Sequence, residues 1–548
     1  MAVVPGHDAD GWMCALDSDG APTGAPRNVA DLAAALREIE RRDRPRWVLA
    51  DVAAAYPPLL GAGVRLAQCH DVGLVEAILI STTGHAGEAH HLDAAYARMR
   101  HQPIPEPAVA KPAVQDTLFG DEPTGPTPRE TLDVLVEVFA DQRRRLNTAG
   151  ALVLLAAAES AGALIAAEMT HHGLPWRVDV HDGILTDLLG PKPVRGMRPK
   201  KLQQLADQIA AAFDHPLNPD SPQQVLAAFR KAGHPVETTR AWELKRVDHP
   251  AVEPLLRYKE LARIHSGHGW TWLHDWISDS PAGPESPAKR FRPHYVVGGV
   301  VTGRWATDGG AALQMPKTIR AAACADAGHK LVVADASQLE PRMLAAMSGD
   351  PGMIAASQDD DMYAALAPTF GGSRADAKIA LLSAMYGGTA GNATVLLSVM
   401  RQRFPVAYRY VEEAARDGEK GRTVSTWLGR TSPAASNRWW NALTGSDGTR
   451  SARDRGRFTR NFVVQGTAAE WALSMMALLR TALRDGGLGE LVFFQHDEII
   501  VHCPEARAEA VSAAVQECAD TATRLLFGHN RVRVPLAAVA VDSYADAK

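Results

Sequence analysis

Two acidic positions far apart in the chain carry the chemistry this sequence offers. Asp497 and Glu498 sit in Phe494-Gln495-His496-Asp497-Glu498-Ile499-Ile500-Val501, between the apolar runs Leu491 to Phe494 and Ile499 to Val501. That pattern predicts a tight hairpin with acids at its tip. Adjacent carboxylates at a turn cost stability unless their charge has a partner. A divalent cation is the usual partner, shared with a further carboxylate. Asp335 supplies it, at the end of the buried-strand pattern Lys330-Leu331-Val332-Val333-Ala334-Asp335. Residues Ser337 through Met347 then read as a helix, with Leu339, Met343, Leu344 and Met347 on its apolar side. An acid at the end of a central strand is held rigidly, which suits metal binding. Taken alone, Asp335 reads more simply as the cap of that helix.

Two further constellations change the balance. Ser373 with Asp376 resembles a capping box after Gly371-Gly372. The helix it opens carries Arg374 and Lys378 at i and i+4, with Tyr386 two turns further on. Two cations beside the positive end of a helix make a polyphosphate site, or else a basic surface helix. Arg457, Asn461 and Gln465 recur every four residues before Gly466, inside an apolar sequence running to Leu479. Such a stripe can donate to base edges and sugars in a minor groove, or be a solvated face. Together these parts specify in-line attack of a hydroxyl on the α-phosphate of a triphosphate. Two carboxylates would hold two Mg²⁺ ions, one lowering the pKa of the hydroxyl and the other neutralising the leaving pyrophosphate. Lys378 and Arg374 would stabilise charge developing on the phosphates.

These elements need a large scaffold, and the chain provides one. Its 548 residues are enough for several domains. Net charge is −5, so a nucleic-acid site must be a local basic groove. Cys14, Cys69, Cys324, Cys503 and Cys518 are widely spaced and form no metal pattern, which predicts reduced, mostly buried thiols and a cytoplasmic protein. No signal peptide and no membrane-crossing run is read from the sequence. Residues 1–101 read as a small α/β region, with a helix over Val29 to Arg41 and a strand at Trp47-Val48-Leu49-Ala50. Residues 102–128 form a Pro-rich linker. Helical patterning runs from Arg129 to about residue 280, and its basic cluster Lys192, Arg195, Arg198, Lys200 and Lys201 could track a phosphate backbone. Strands return near His294 to Val301.

At this point the residues resemble a family, the family A DNA polymerases typified by bacterial DNA polymerase I. Asp335-Ala336-Ser337-Gln338-Leu339-Glu340-Pro341-Arg342 resembles its motif A. Arg374-x3-Lys378-x7-Tyr386-Gly387 resembles motif B, and His496-Asp497-Glu498 motif C. Thr302-Gly303-Arg304 with Leu313-Gln314 is similar to the primer-template segment, and Asn461-x3-Gln465-Gly466-Thr467-Ala468 to the palm helix. The motifs keep family order from about residue 290 onward, with weaker similarity back to about 150. The overall likeness is to the actinobacterial 3′–5′ exonuclease-like/polymerase type without a 5′-nuclease domain. The resemblance implies an α/β and α+β multidomain chain: a right-hand polymerase of palm, fingers and thumb, preceded by a small DnaQ-like (RNase H-like) exonuclease-type domain. The expected parts are residues 1–101 and 129–150 for that domain, 151–290 for thumb and connecting helices, 291–360 and 451–548 for palm, and 361–450 for fingers.

The resemblance also implies roles. Asp335 and Asp497 should bind two Mg²⁺ ions (Mn²⁺ able to substitute), with the Ala336 carbonyl helping, and Glu498 should support the metal site or primer end. Arg374 and Lys378 should hold the triphosphate, Lys378 also as general acid. Gln338, Glu340, Leu382 and Tyr386 should line the nucleotide site, with Glu340 as steric gate against a ribose 2′-hydroxyl and Tyr386 near the templating position. Arg304, Gln314, Arg457, Asn461, Gln465 and His496 should contact primer-template DNA. Departures are Leu382 where an aromatic is usual, Ala336 for a common Tyr, and Tyr363 at a usual His position. These put sugar discrimination and fidelity in question.

In the family the N-terminal region proofreads with four acids. Here Asp8 and Asp10, Asp17 and Asp19, Asp51, Asp71 and Asp141 are the candidates, with Glu137 where a Tyr belongs. Asp17-Ser18-Asp19-Gly20 is more simply a turn. The set is incomplete, so a degenerate exonuclease fold without proofreading is expected. Inside the linker, Gln115-Asp116-Thr117-Leu118-Phe119 resembles the peptide bacterial proteins insert into the sliding clamp, with Leu118 and Phe119 as anchors beside Gln115. The expectation is a monomeric, nucleoid-associated enzyme taking dNTPs and primer-template DNA, in repair or replication. The competing readings are a bifunctional polymerase-exonuclease, a single-subunit RNA polymerase and a non-catalytic DNA-binding scaffold.

Overall fold

The computed structural model describes residues 1–6, 8–105, 126–279, 289–388, 393–445, 448–529 and 531–547. They form two compact units. The first comprises Met1–His171, Tyr295–Ala306 and Ala334–Val539, the second His172–His294, Thr307–Val333 and Ala540–Lys548.

The first unit begins with a mixed sheet of β1 (Ala2–Pro5), β2 (Gly11–Cys14), β3 (Arg27–Val29), β4 (Arg46–Leu49) and β5 (Gln68–Asp71), in the order β3-β2-β1-β4-β5. β1, β2 and β3 pair antiparallel, whereas β4 runs parallel to both β1 and β5. Alternation along β4 divides the core: Trp47 and Leu49 join one apolar cluster with Met13, Leu36 and Tyr56, while Val48 joins another with Cys14, Leu135 and Phe139. Each strand-to-helix junction here is an aspartate cap. Asp31 accepts from the Ala34 amide, Asp51 from Ala54 and Asp71 from Leu74. The cap at Asp31 moves the predicted helix start: Val29 belongs to β3, and the helix spans Leu32–Asp43.

Two long helices are apolar enough to cross a membrane by length and composition, Leu152–His172 and Gly448–Gly486. This corrects the expectation that no run would suffice. Both are core helices, with 67% and 83% of their apolar windows buried. A buried guanidinium ties them to the N-terminal sheet region. Arg480 donates to Glu168 Oε1 and Oε2, each at 2.6 Å, and to the Ala67 carbonyl at 2.9 Å.

The other sheet orders its strands Glu490–Gln495, Glu498–Pro504, His329–Ala336 and Leu536–Val541. The first two form the predicted hairpin, with Gln495 opposite Glu498. Only His496 and Asp497 lie between them, and His496 takes the left-handed conformation that a two-residue turn requires (φ 61°). Helix Leu339–Ser348 follows strand His329–Ala336, starting two residues later than predicted because Gln338 is left-handed (φ 55°). Of the strands expected over His294 to Val301, only Tyr295–Val296 forms; Gly299 and Gly303 instead take part in turns around Val300.

The second unit is helical, with Val178–Leu189, Lys200–Ala212, Pro222–Lys231 and Val252–His268 as its main elements. Its core is aromatic: Trp176, His181, Trp272 and Phe291 meet at centroid separations of 4.8–5.9 Å. Burial holds the His181 imidazole neutral, its pKa lowered to about 4, while its Nε2 meets the His268 carbonyl at 2.9 Å.

Candidate active site

Strand His329–Ala336 and the hairpin turn deliver the two acids to one place. The Ala336 amide donates to the Asp497 carbonyl at 3.1 Å, so Asp335 precedes, and Asp497 contains, the two halves of one backbone hydrogen bond. Both aspartates are half-buried and reachable from solvent. Glu498 is not at the tip: it is the first residue of its strand and is buried, because pairing with Gln495 turns it inward. Tyr295 secures the preceding strand. Its hydroxyl donates to the Phe494 carbonyl (2.9 Å) and accepts from the Phe494 amide (3.1 Å), and Trp305 packs edge-on against Phe494. The donors offered at this point are two carboxylates and the adjoining backbone, all oxygen. That set suits a hard cation such as Mg²⁺.

The segment after Asp335 is fixed by polar bonds that the sequence does not announce. Gln338 accepts from the Met362 amide (2.7 Å) and donates to Asp361 (3.2 Å). Asp361 also caps helix Met362–Leu366 and receives Nε of Arg374 at 2.6 Å. Burial pushes the Asp361 carboxyl up, but the Arg374 bond and the backbone amides outweigh it and hold the pKa below its ordinary value. Arg374 lies over the Tyr363 ring at 5.6 Å. Burial, with the nearby charge of Glu340, pushes the Tyr363 hydroxyl up to about 12. Arg374 is therefore engaged with Asp361, whereas Lys378 on the same helix is exposed and has no ion-pair partner among the described residues. The helix spans Arg374–Tyr386 as predicted, and Ser373 caps it by accepting from the Asp376 amide at 3.2 Å.

Tyr386, at the far end of that helix, donates a hydrogen bond to Glu340. Burial first and the Glu340 bond second raise its pKa. Gln465 also hydrogen-bonds to Tyr386, and Arg304 lies near enough to act on it electrostatically. Motif-like segments around residues 304, 340, 386 and 465 thus converge in the first unit. Leu382 is half-buried one turn before Tyr386. The Arg457-Asn461-Gln465 stripe is graded from exposed Arg457 through half-buried Asn461 to buried Gln465. Arg457 pairs with Asp454, and its chain packs where a Cβ on Gly387 would fall, 2.7 Å from Cγ. Asn461 Oδ1 is buried with no hydrogen-bond partner among the described residues. His496 is exposed beside Asp497. Gln314 is exposed in a short turn of helix, Ala312–Gln314, in the second unit. There too, Lys192, Arg195 and Arg198 line a cavity of about 1400 Å³ with Tyr258, Lys259 and Arg263. Lys200 and Lys201 begin helix Lys200–Ala212 outside that lining.

Asp361 was missed by the sequence reading, although an acid directly before Met362-Tyr363-Ala364 is a legible cap signal. Arg342 was quoted without a role. It is fully buried and donates to five carbonyls, those of Ser337, Ser357, Asp359, Asp360 and Arg533, at 2.6–2.9 Å. Nothing local in the sequence marks so distant a set of acceptors. Glu470 was missed as well: buried on helix Gly448–Gly486, it receives Thr426 Oγ1 and the Leu428 amide.

The N-terminal acids behave differently. Asp17 accepts from the amides of Asp19 (3.0 Å) and Ala21 (2.8 Å), the turn expected of it. Asp10 holds Asn28, Asp141 pairs with Arg144 and Arg145, and Glu137 pairs with Arg100. Asp71 is buried and accepts from the Val52 and Leu74 amides; burial raises its pKa to about 7. Among the described residues no group of three or more His, Cys, Asp or Glu side chains is gathered for a metal ion. Gln115, Leu118 and Phe119 lie outside the described residues.

Comparison with known proteins follows the same lines. The family description "DNA polymerase family A" matches residues 195–543. DNA polymerase I of Chloroflexus aurantiacus is 26% identical over 435 residues, covering 70% of this chain and 44% of that protein. The thermostable DNA polymerase I of Thermus thermophilus is 26% identical over 362 residues, covering 59% and 42%. The chain thus spans less than half the length of these relatives. Among solved structures, the POL domain of Pol1 from M. smegmatis, in complex with DNA primer-template and dNTP, superposes with a TM-score of 0.72 at 20% identity. That likeness of fold covers 100% of this chain and 95% of the other.

Proposed function

Because the chain belongs to DNA polymerase family A, we propose that it is a DNA-templated DNA polymerase that adds dNTPs to a primer 3′-hydroxyl. The observation that carries this reading is the Ala336–Asp497 backbone bond, which joins two remote segments that each carry a half-buried aspartate. Asp335, Asp497 and the Ala336 carbonyl would hold two Mg²⁺ ions, with Mn²⁺ as a substitute. When bound, the ions would activate the attacking hydroxyl and offset charge on the leaving pyrophosphate. Lys378, exposed and without an ion-pair partner among the described residues, would meet the triphosphate and supply a proton to pyrophosphate. Arg374 would join it after leaving Asp361. Glu340, braced by Tyr386, would lie under the sugar and disfavour a 2′-hydroxyl. Arg304, Arg457, Asn461, Gln465, Gln314 and His496 would position primer-template; of these Arg304, Arg457, Gln314 and His496 are exposed. Glu498, buried beside the turn, would brace Asp497. Primer extension with Mg²⁺ tests the reading: wild type should extend and Asp497→Ala should not. An extending Asp497→Ala variant, or an inert wild type, overturns it. Preference for dNTP over rNTP in the same assay separates it from an RNA polymerase.

The palm would comprise 291–360 and 451–548, the fingers 361–450 and the thumb 151–290. For residues 1–101 and 129–150 we propose an exonuclease-like fold retained without proofreading. The mixed sheet order and the structural duties of Asp10, Asp17, Asp51, Asp71 and Asp141 support this. Release of nucleotides from single-stranded DNA by wild type and Asp497→Ala alike would count against it. The free cysteines fit a reducing cytoplasm, where the enzyme would act as a monomer on the nucleoid in repair or replication. Gln115, Leu118 and Phe119 would dock a sliding clamp. Leu118→Ala with Phe119→Ala should abolish that binding and leave distributive synthesis intact.

A further inference from the structure

Exposed tryptophan is uncommon; among the described residues Trp242, Trp427 and Trp440 are exposed, and Trp440 lies beside a second tryptophan on a basic surface. Trp440, in the short helix Asn437–Leu443, is 46% exposed. It meets Trp439 edge-on at 4.7 Å and 79°. Both indoles are held firmly. Trp439 Nε1 donates to the Ser451 carbonyl at 3.0 Å, and Arg455 lies over its ring at 5.5 Å. The chain at Gly421 (φ 77°) packs so closely that a Cβ there would come within 2.5 Å of Trp440 and 3.0 Å of Trp439. No core claims the open side of Trp440.

The neighbours are cationic. Lys420 and Arg422 flank Gly421, Arg438 precedes the tryptophans, and Arg450 and Arg453 flank Ser451. Asp417 pairs with Arg422, and Asp454 with Arg457 and Arg450. Lys420, Arg438 and Arg453 are exposed without ion-pair partners among the described residues, while Glu419 lies against Gly456. Ser451 is on helix Gly448–Gly486, the same helix that carries Asn461. At 1.5 Å per residue the two are about 15 Å apart along the axis.

We propose that Trp440, backed by Trp439, is a stacking platform for unpaired nucleotides of the template strand. An indole can stack only on a base that is not already paired and stacked in a duplex, and the surrounding cations suit the phosphates between such bases. A primer-template offers unpaired bases only in its template overhang. The assignment of the strand rests on the polymerase reading above; the capture of single-stranded DNA does not.

Affinity of the full chain for two labelled primer-templates tests this. They share one duplex and differ in having a single unpaired template nucleotide or a long single-stranded overhang. Trp440→Ala should weaken binding of the long-overhang substrate by ~10-fold and leave the other unchanged, and Trp440→Phe should recover most of the loss. Equal affinities of Trp440→Ala and wild type on both substrates, or an equal loss on both, would overturn the platform. Wild type that discriminates between the overhangs but extends neither primer would keep single-stranded capture and sink the polymerase reading instead.

Discussion

The Ala336 amide and the Asp497 carbonyl are hydrogen-bonded at 3.1 Å, and this contact joins the strand that carries Asp335 to the turn that carries Asp497. It ties the backbones of the two acidic segments together, so the main chain there does not depend on the side-chain charges. Neutralising either should therefore abolish catalysis without unfolding the chain. Asp335→Asn and Asp497→Asn should each lower the primer-extension rate by about 100-fold or more, with the thermal transition unmoved. A large fall in melting temperature would show that the charge serves the fold instead.

Glu340 and Tyr386 form a second such pair, joining the start of one helix to the end of another. Glu340→Ala should relax selection against rNTPs by on the order of 10²-fold, read as the ratio of kcat/KM for rNTP and dNTP. Tyr386→Phe leaves the carboxylate in place without its brace. It should relax selection less than Glu340→Ala does, and an equal effect would mean that the brace alone sets selectivity.

Arg342 makes no ion pair among the described residues yet satisfies five carbonyls, so its loss strands acceptors on three segments. Burial, then repulsion from Arg533, lowers its pKa to about 10, so it stays charged at neutral pH. Arg342→Leu should destabilise by about 2–4 kcal/mol in urea unfolding. A change below about 0.5 kcal/mol would show that water takes over those carbonyls.

Glu470 predicts a pH dependence. Burial raises its pKa from 4.5 in the unfolded chain to about 7 in the folded one. Its contribution is therefore fully present below about pH 4.5 and is lost as pH rises to about 7. Glu470→Gln keeps the shape without the charge. The stability of the variant relative to wild type should increase across that window, measured by urea unfolding at several pH values; a constant difference would show that Glu470 titrates normally.

Much of this was legible before folding was considered. The hairpin at 494–501 followed from apolar runs on either side of a short polar cluster, and the helix from Arg374 from its Ser373 cap. Those signals are local, and local signals are what a sequence displays. Boundaries slipped where a single residue took a left-handed conformation, as at Gln338, or where an aspartate cap delayed a helix, as at Asp31. No apolar run was read as long enough to cross a membrane; the stretches at 152–172 and 448–486 pass that test, and only their burial shows them to be core helices.

By itself the sequence determined the parts: which residues are acids, cations and polar stripes, and which strand or helix carries each. It did so because periodicity and capping act over a few residues. Only the tertiary structure decided which parts meet. Asp361 takes hold of Arg374, Tyr386 bonds Glu340, five carbonyls surround Arg342, and Asp71 is spent on capping amides. The outcomes at Arg342, Asp71 and the Tyr386–Glu340 pair depend on desolvating a polar group beside a partner remote in the chain, and that energy exists only once the fold has closed around both.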